Sequence, residues 1–300
     1  MSGGLLITGG SGQLGNALQA LAHARGLKFT AVSRPQFDFE APQTLEACMA
    51  TARPTLVINA GAYTAVDAAE SHFEAARAGN HTGPLKLAEL CAAADIPFIH
   101  VSTDYVFDGN KGSPYFEDDV AAPTGVYGAT KRDGEIAILA TQAKAIILRT
   151  AWVYAAHGKN FARTMLNAAR KTNALRVVAD QQGSPTAAPD LAAAILDIAS
   201  ILHSGGWDPA YRGIYHATGR GETTWFGFAE AIFAATPAAL PRPSLSPIVT
   251  ADWPTPAKRP ADSRLNCDKI EKIFGVIFPP WQASLPPIIA ALIAQDALVP

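Results

Sequence analysis

Tyr127 and Lys131 stand four residues apart in "VYGATKRDGE", a spacing that puts both side chains on one face of a helix. A phenol next to an amine can move a proton. Free tyrosine has a pKa of about 10, so it is a poor acid until a nearby cation stabilises its anion. Upstream, "VSTDYVFDG" (101–109) places Ser102, Thr103, Asp104 and Tyr105 in succession after the apolar run "PFIH". A hydroxyl at such a strand end, here Thr103, can hold and polarise a carbonyl oxygen. These residues suit a site where hydride reaches a carbonyl carbon and Tyr127 protonates the alkoxide, with Lys131 in support. Either pattern alone is common by chance. Their order along the chain gives them weight.

A hydride site needs a donor, and "ITGGSGQLGNAL" offers a place for one. Gly9, Gly12 and Gly15 form G-x-x-G-x-x-G between the first apolar run and the first helical segment. Glycines there permit a tight turn, and the helix N-terminus presents N–H groups to a pyrophosphate. A site for NAD carries an acid after the second strand to bind the ribose diol. Here Ser33-Arg34 occupies that place, and a guanidinium pairs with a 2′-phosphate, so NADPH is expected over NADH. A solvated arginine with no ligand is the plain alternative. Asp38 and Phe39 could flank the adenine.

These residues need a scaffold. Segments 4–9, 28–33, 55–61, 97–102 and 145–150 read as strands, and their unbroken apolar character suits strands covered on both faces. Ala-rich helical segments separate them. The alternation predicts an α/β fold: a doubly wound parallel (Rossmann) sheet over residues 1–150. Residues 151–300 read mainly as a smaller substrate lobe, with some segments returning to the core. Segment 237–260 is rich in Pro and is expected to be irregular. "PAALPRPSLSP" could instead serve as a polyproline ligand.

Composition narrows the classes. The chain has 300 residues, 49% hydrophobic and 17% charged, with a net charge of −2, which suits a substantial core and disfavours nucleic acid or anionic membrane as partner. Cys48, Cys91 and Cys267 are far apart and not in metal-ligand spacing, as expected of reduced thiols. The first residues lack the pattern of a secretory leader, and no apolar run nears the ~20 residues of a membrane span. A soluble, cytoplasmic protein is expected.

The motifs together resemble the extended short-chain dehydrogenase/reductase family, almost end to end. The pieces are "GGSGQLG", "VINAGAYTAVDAAE", "STDYVFDG", "VYGATKRDGE", "LRTAWVYAAHGKNFARTML", "DQQGSPT" and "TPAKRPADSRL". The last four are more specific than the rest and resemble the branch acting on nucleotide-linked ketosugars. That resemblance implies NADPH-dependent reduction of a C4 ketone on a dTDP-linked hexose, the closing step of a deoxysugar synthesis that feeds surface glycans such as lipopolysaccharide. It also implies residue roles. Gly12, Gln13 and Leu14 contact the pyrophosphate; Asp38 and Phe39 lie near adenine; Ala62, Tyr63 and Thr64 follow the third strand at the cofactor. Tyr127 and Lys131 are the catalytic pair, Thr103 and Asp104 hold the sugar, and Trp152 covers the hexose unless it is a core aromatic.

Related dehydratases carry Glu where this chain has Tyr105, and that acid helps expel water; its replacement argues for simple reduction. His100 reads as a packed strand residue, and Asp67 and Glu70 as acids at a helix start. Lys258, Arg259 and Arg264 fit either a sugar-nucleotide diphosphate or ion pairs to the main domain. Some relatives are metal-associated dimers. No acidic metal cluster can be assembled here, which leaves Mg²⁺ in doubt and both a monomer and a homodimer open. Another ketosugar, or a non-catalytic NADP-binding subunit, would be the alternatives.

Overall fold

The structure is a computed structural model that describes residues 3–297; Met1 and Ser2, where a leader reading would begin, lie outside them. Six short strands form its sheet: β1 (Leu5–Thr8), β2 (Phe29–Val32), β3 (Leu56–Asn59), β4 (Pro97–Thr103), β5 (Lys144–Thr150) and β6 (Gly213–His216). All are parallel, in the order β6-β5-β4-β3-β1-β2. The helices packed on it are α1 (Gln13–Ala24), α2 (Pro42–Ala52), α3 (Gly83–Ala93), α4 (Val126–Ala140) and α5 (Ala188–Gly205).

The unbroken apolar runs are explained by this arrangement, because successive strand residues point to opposite faces. Ile7, Ile58, Ile99 and Ile146 meet Leu14 and Leu18 of α1 and Leu191 and Ile195 of α5 on one side. Leu6, Val57, Phe98 and Ile147 meet Leu45 of α2, Leu87 of α3 and Ile138 of α4 on the other. Each such side chain contributes about 1.5–3 kcal/mol on burial. Leu6→Ala, at 0% exposure, would remove about 2–5 kcal/mol. Pro42 starts α2, where its missing N–H is not needed, and Arg53 ends it in the left-handed region at φ 43°.

The chain winds outward from β1 in two directions, to β2 on one side and to β3 on the other. The crevice at the carboxyl ends of the strands opens at that reversal, which is where ligands bind in such sheets.

A third apolar cluster, with Tyr154, Phe228, Trp281, Leu285 and Ile289, forms the core of the smaller lobe. Helices Phe161–Ala169, Trp225–Ala234 and Trp281–Ala297 surround it. Segment 237–260 is more regular than its composition implies. Ser244–Ile248 pairs in parallel with Ala174–Val178, and Pro247 is tolerated because a two-stranded ladder has only edge strands.

Candidate active site

The turn after β1 follows from its glycines. Gly9 adopts φ +67°, and a Cβ on Gly15 would sit 2.1 Å from the Gly9 carbonyl oxygen, so only glycine lets the helix approach the loop. Gly12 begins α1, and no side chain caps that helix. Its first N–H groups, at the positive end of the helix dipole, remain available to an anion. Gln13 accepts a hydrogen bond from Asn160 of the lobe at 3.0 Å, tying the loop to the second half of the chain.

A cleft of about 620 Å³ opens above this turn, within the range of small-molecule sites. It brings together Gly9, Gly12, Gln13, Leu14, Ser33, Arg34, Asp38, Phe39, Ala62, Tyr63 and Thr64 with Thr103, Asp104, Tyr127, Lys131 and Trp152. Gly15 is not on its wall; it lies beneath the loop. At the far end Ser33 Oγ accepts from the Ser11 N–H at 2.9 Å, which pins the glycine loop to the end of β2. Arg34 is 73% exposed on its side chain and only 4.0 Å from Glu40, so its guanidinium borders the cleft without a tight internal partner. Asp38 accepts from the Glu40 N–H, and Phe39 packs on Gly83 at the start of α3.

Asn80 organises the middle, and sequence spacing gave no hint of it. It sits in a π-helical turn, Ala78–Thr82, is fully buried, and accepts the Tyr63 N–H while donating to the Tyr63 carbonyl and to Thr130 on α4. One amide thereby joins the loop after β3 to the helix carrying Tyr127. Glu70 ends its own short helix, Val66–Ala69, rather than starting it; its Oε1 instead accepts the Val126 N–H at 2.8 Å, capping α4. An acid at that N-terminus stabilises the helix by interacting with its dipole.

At the chemical end, Thr103 terminates β4. Its hydroxyl accepts the Tyr105 N–H and donates to Asp104. Burial holds the Tyr127 phenol well above the ordinary tyrosine range, partly offset by the Thr103 hydroxyl. Asp104 is 2% exposed, its Oδ2 has no hydrogen-bond partner among the described residues, and burial raises its pKa to about 6 against the pull of Ser263 and Thr103. Tyr105 lies edge-on to Tyr127, its ring centroid 5.5 Å away, and its hydroxyl accepts from Arg259. Burial pushes it up to about 12.

Lys131 donates to the Val101 carbonyl at 2.6 Å and lies 3.2 Å from His100 Nε2. Burial lowers its pKa to about 8, and Glu135 pulls the other way. Beneath the site, Glu135 of α4 accepts from Arg149 of β5 and from Ser102 of β4, all buried. This ion pair clamps the helix to the sheet.

Trp152 stands at φ +46°, directly after β5, and lies flat on Trp225 with centroids 3.5 Å apart. A Cβ on Gly183 would come within 2.4 Å of its ring. The indole is therefore both packed in the lobe and on the cleft wall. Of the three late cations, Arg259 pairs with Asp67 at 2.7 Å and Arg264 with Asp262 and Glu222, while Lys258 is exposed. Lys159, not singled out by the motifs, also lines the cleft. Among the described residues no group of three or more His, Cys, Asp or Glu could hold a metal ion, and no helix is long and apolar enough to cross a membrane.

Residues 3–294 match the family described as the RmlD substrate binding domain. The chain belongs to that family. Relatives named dTDP-4-dehydrorhamnose reductase include one from Sinorhizobium fredii, 42% identical over 97% of this chain and 98% of its own, and one from Escherichia coli, 38% identical over 98% and 99%. A solved dTDP-4-dehydrorhamnose reductase from Bacillus anthracis, in complex with NADP, superposes with a TM-score of 0.87 at 30% identity, covering 97% of this chain and 99% of that one. One from Clostridium acetobutylicum gives 0.88 at 34% identity, covering 96% and 99%. As an RmlD-family member, this chain matches its relatives over both the glycine-loop half and the lobe.

Proposed function

We propose that the chain is an NADPH-dependent dTDP-4-dehydrorhamnose reductase, converting the C4 ketone of dTDP-4-dehydro-β-L-rhamnose to the alcohol of dTDP-L-rhamnose, the last step of that sugar's synthesis. The observation that carries the reading is one cleft with an uncapped glycine-loop helix at one end and Thr103, Tyr127 and Lys131 at the other. Full-length relatives bearing that name support it.

The residues present fit a dinucleotide: Gly9 and Gly15 leave a cradle that a Cβ would fill, and the first turn of α1 has N–H groups to offer a pyrophosphate. Gly12, Gln13 and Leu14 would hold it there, Ser33 and Arg34 the 2′-phosphate, Asp38 and Phe39 the adenine, and Ala62, Tyr63 and Thr64 the stretch between. When bound, NADPH supplies the hydride. Thr103 Oγ1, turning its one proton away from Asp104 Oδ1, donates to the ketone oxygen and orients it. Tyr127 Oη gives its proton to the oxygen as negative charge develops there. Burial keeps the phenol protonated at neutral pH but also makes it a weaker acid, so the transfer depends on stabilising the phenolate it leaves. Lys131, one helical turn on, stabilises the phenolate left behind. Asp104 Oδ2, buried without a partner, accepts from a sugar hydroxyl, and Trp152 supplies the apolar wall against the hexose. Tyr105 carries no carboxylate and stays protonated, so this site has no acid there to remove water from the sugar.

The test is oxidation of NADPH by purified protein with enzymatically prepared dTDP-4-dehydro-L-rhamnose, with the product identified by mass and by its sugar stereochemistry. Sugar-dependent oxidation yielding dTDP-L-rhamnose supports the assignment. Tight NADPH binding with no turnover of this sugar refutes it.

A further inference from the structure

A line of four buried side chains runs inward from the site, and three of them, all but Lys131, have no part in the chemistry above. Thr8 on β1, Asn59 on β3, His100 on β4 and Lys131 on α4 are each at most 1% exposed. Thr8 Oγ1 bonds to Asn59 Oδ1; Asn59 Nδ2 lies 2.8 Å from His100 Nδ1; His100 Nε2 lies 3.2 Å from Lys131 Nζ. Three neighbouring strands and the helix bearing Tyr127 are joined by it.

Its proton positions follow from one fixed donor. The Gly61 backbone N–H can only donate, and it reaches Asn59 Oδ1 at 3.1 Å. The amide oxygen of Asn59 therefore faces Gly61 and its NH₂ faces His100. An NH₂ only donates, so His100 Nδ1 must accept. A neutral imidazole has one proton, which then sits on Nε2. That N–H points at Lys131. An ammonium has three donors and no lone pair, so it would set donor against donor. A neutral amine accepts the Nε2–H through its lone pair and still donates to the Val101 carbonyl.

We propose that His100 is a positioning residue that sets the charge of Lys131: locked by Asn59 as its Nε2–H tautomer, it favours the amine over the ammonium in the free enzyme. Burial acts in the same direction on Lys131, and it keeps His100 itself neutral. Among the described residues the other ionisable group acting on the amine is Glu135, on its own helix. Glu135 favours the ammonium but is itself occupied by Arg149 from β5 and Ser102 from β4. Asp104 and Tyr105, past the end of β4, act on Tyr127. The line runs to Gly61 and Thr8 under the glycine loop through the Asn59 amide, which does not ionise, so it holds a protonation state rather than conducting protons. Its consequence for turnover rests on Lys131 supporting the Tyr127 phenolate, which needs the ammonium. The bias toward the amine thus belongs to the free enzyme and turnover must overcome it; the test therefore reads the amine directly.

Full-length protein labelled with nitrogen-15 lysine is titrated by NMR, with the Lys131 Nζ resonance identified by its loss in Lys131→Met. His100→Leu keeps the volume and removes the donor; it should raise the Lys131 midpoint by about one pH unit. His100→Gln returns an N–H to that position and should stay within about half a unit of wild type. Should the leucine variant not fold, His100→Asn keeps a polar partner for Asn59, cannot reach Lys131, and should raise the midpoint likewise. An unchanged midpoint in the leucine or asparagine variant overturns the proposal, as does an equal rise in the glutamine variant. Failure to reduce the ketosugar would refute the function and leave this titration intact.

Discussion

Asp104→Asn should stabilise the protein, and more so as the pH rises. The wild-type carboxyl is buried with an unpartnered Oδ2, and its pKa moves from 3.8 to about 6 on folding. A group whose folded pKa is raised binds extra protons in the native state. Its favourable contribution is complete below the unfolded value and is lost as the pH climbs through the folded one. A shift of about two units corresponds to roughly 3 kcal/mol lost by pH 8, of which about 1 kcal/mol is already gone at pH 4.5. An asparagine has the same shape and no charge to bury, so it escapes this penalty. The stability gap between variant and wild type should therefore widen by about 2 kcal/mol from pH 4.5 to pH 8. Urea denaturation at the two pH values measures it, and the difference between gaps cancels any fixed effect of the substitution. A gap independent of pH would refute the claim that burial raises this carboxyl. Turnover should fall at the same time, because the oxygen held without a partner is the one assigned to the sugar.

Tyr127→Phe should lower kcat by about 10²–10⁴-fold while NADPH affinity stays within about twofold, as seen by fluorescence titration; loss of binding would make the residue structural. Arg34→Ala should weaken NADPH about tenfold or more through the lost charge-assisted contact, with NADH little changed; equal effects would remove the 2′-phosphate assignment. Gly15→Ala must push the helix off the Gly9 carbonyl at a cost of about 1–3 kcal/mol, and calorimetry should show NADPH affinity reduced about tenfold with the fold retained. Glu135→Leu leaves the Arg149 guanidinium buried and unpaired, a loss of about 3–5 kcal/mol by urea denaturation, and adding Arg149→Met should recover most of it.

What could be read from the sequence was whatever lies close along the chain. The glycine turn, the Tyr127–Lys131 spacing and the hydroxyls after β4 are local patterns, and the alternation of apolar runs with helices was enough to give the parallel sheet. Helix α2 buries only Leu45, so its sequence shows little apolar periodicity. Contacts made across long separations were not legible. Asn80 reaches Tyr63 and Thr130, Glu70 reaches across 56 residues to cap α4, and Trp225 slides under Trp152. His100 shows the limit best. As one residue in an apolar strand it reads as filler, and only the register of β3 against β4 puts Asn59 beside it. The late arginines had two readings, and Arg259 is engaged with Asp67.

The sixth strand comes from residues 213–216, long after the other five, and it lies against β5, whose inner residues are fully buried. A nascent chain that has emerged only to residue 150 thus carries β5 as a bare, apolar edge, the kind of surface that recruits strands from neighbouring molecules. The glycine-loop half is not a separable cassette. It cannot be grafted or expressed alone without supplying a substitute for that strand, and synthesis must run past the lobe's first half before the six-stranded sheet can close.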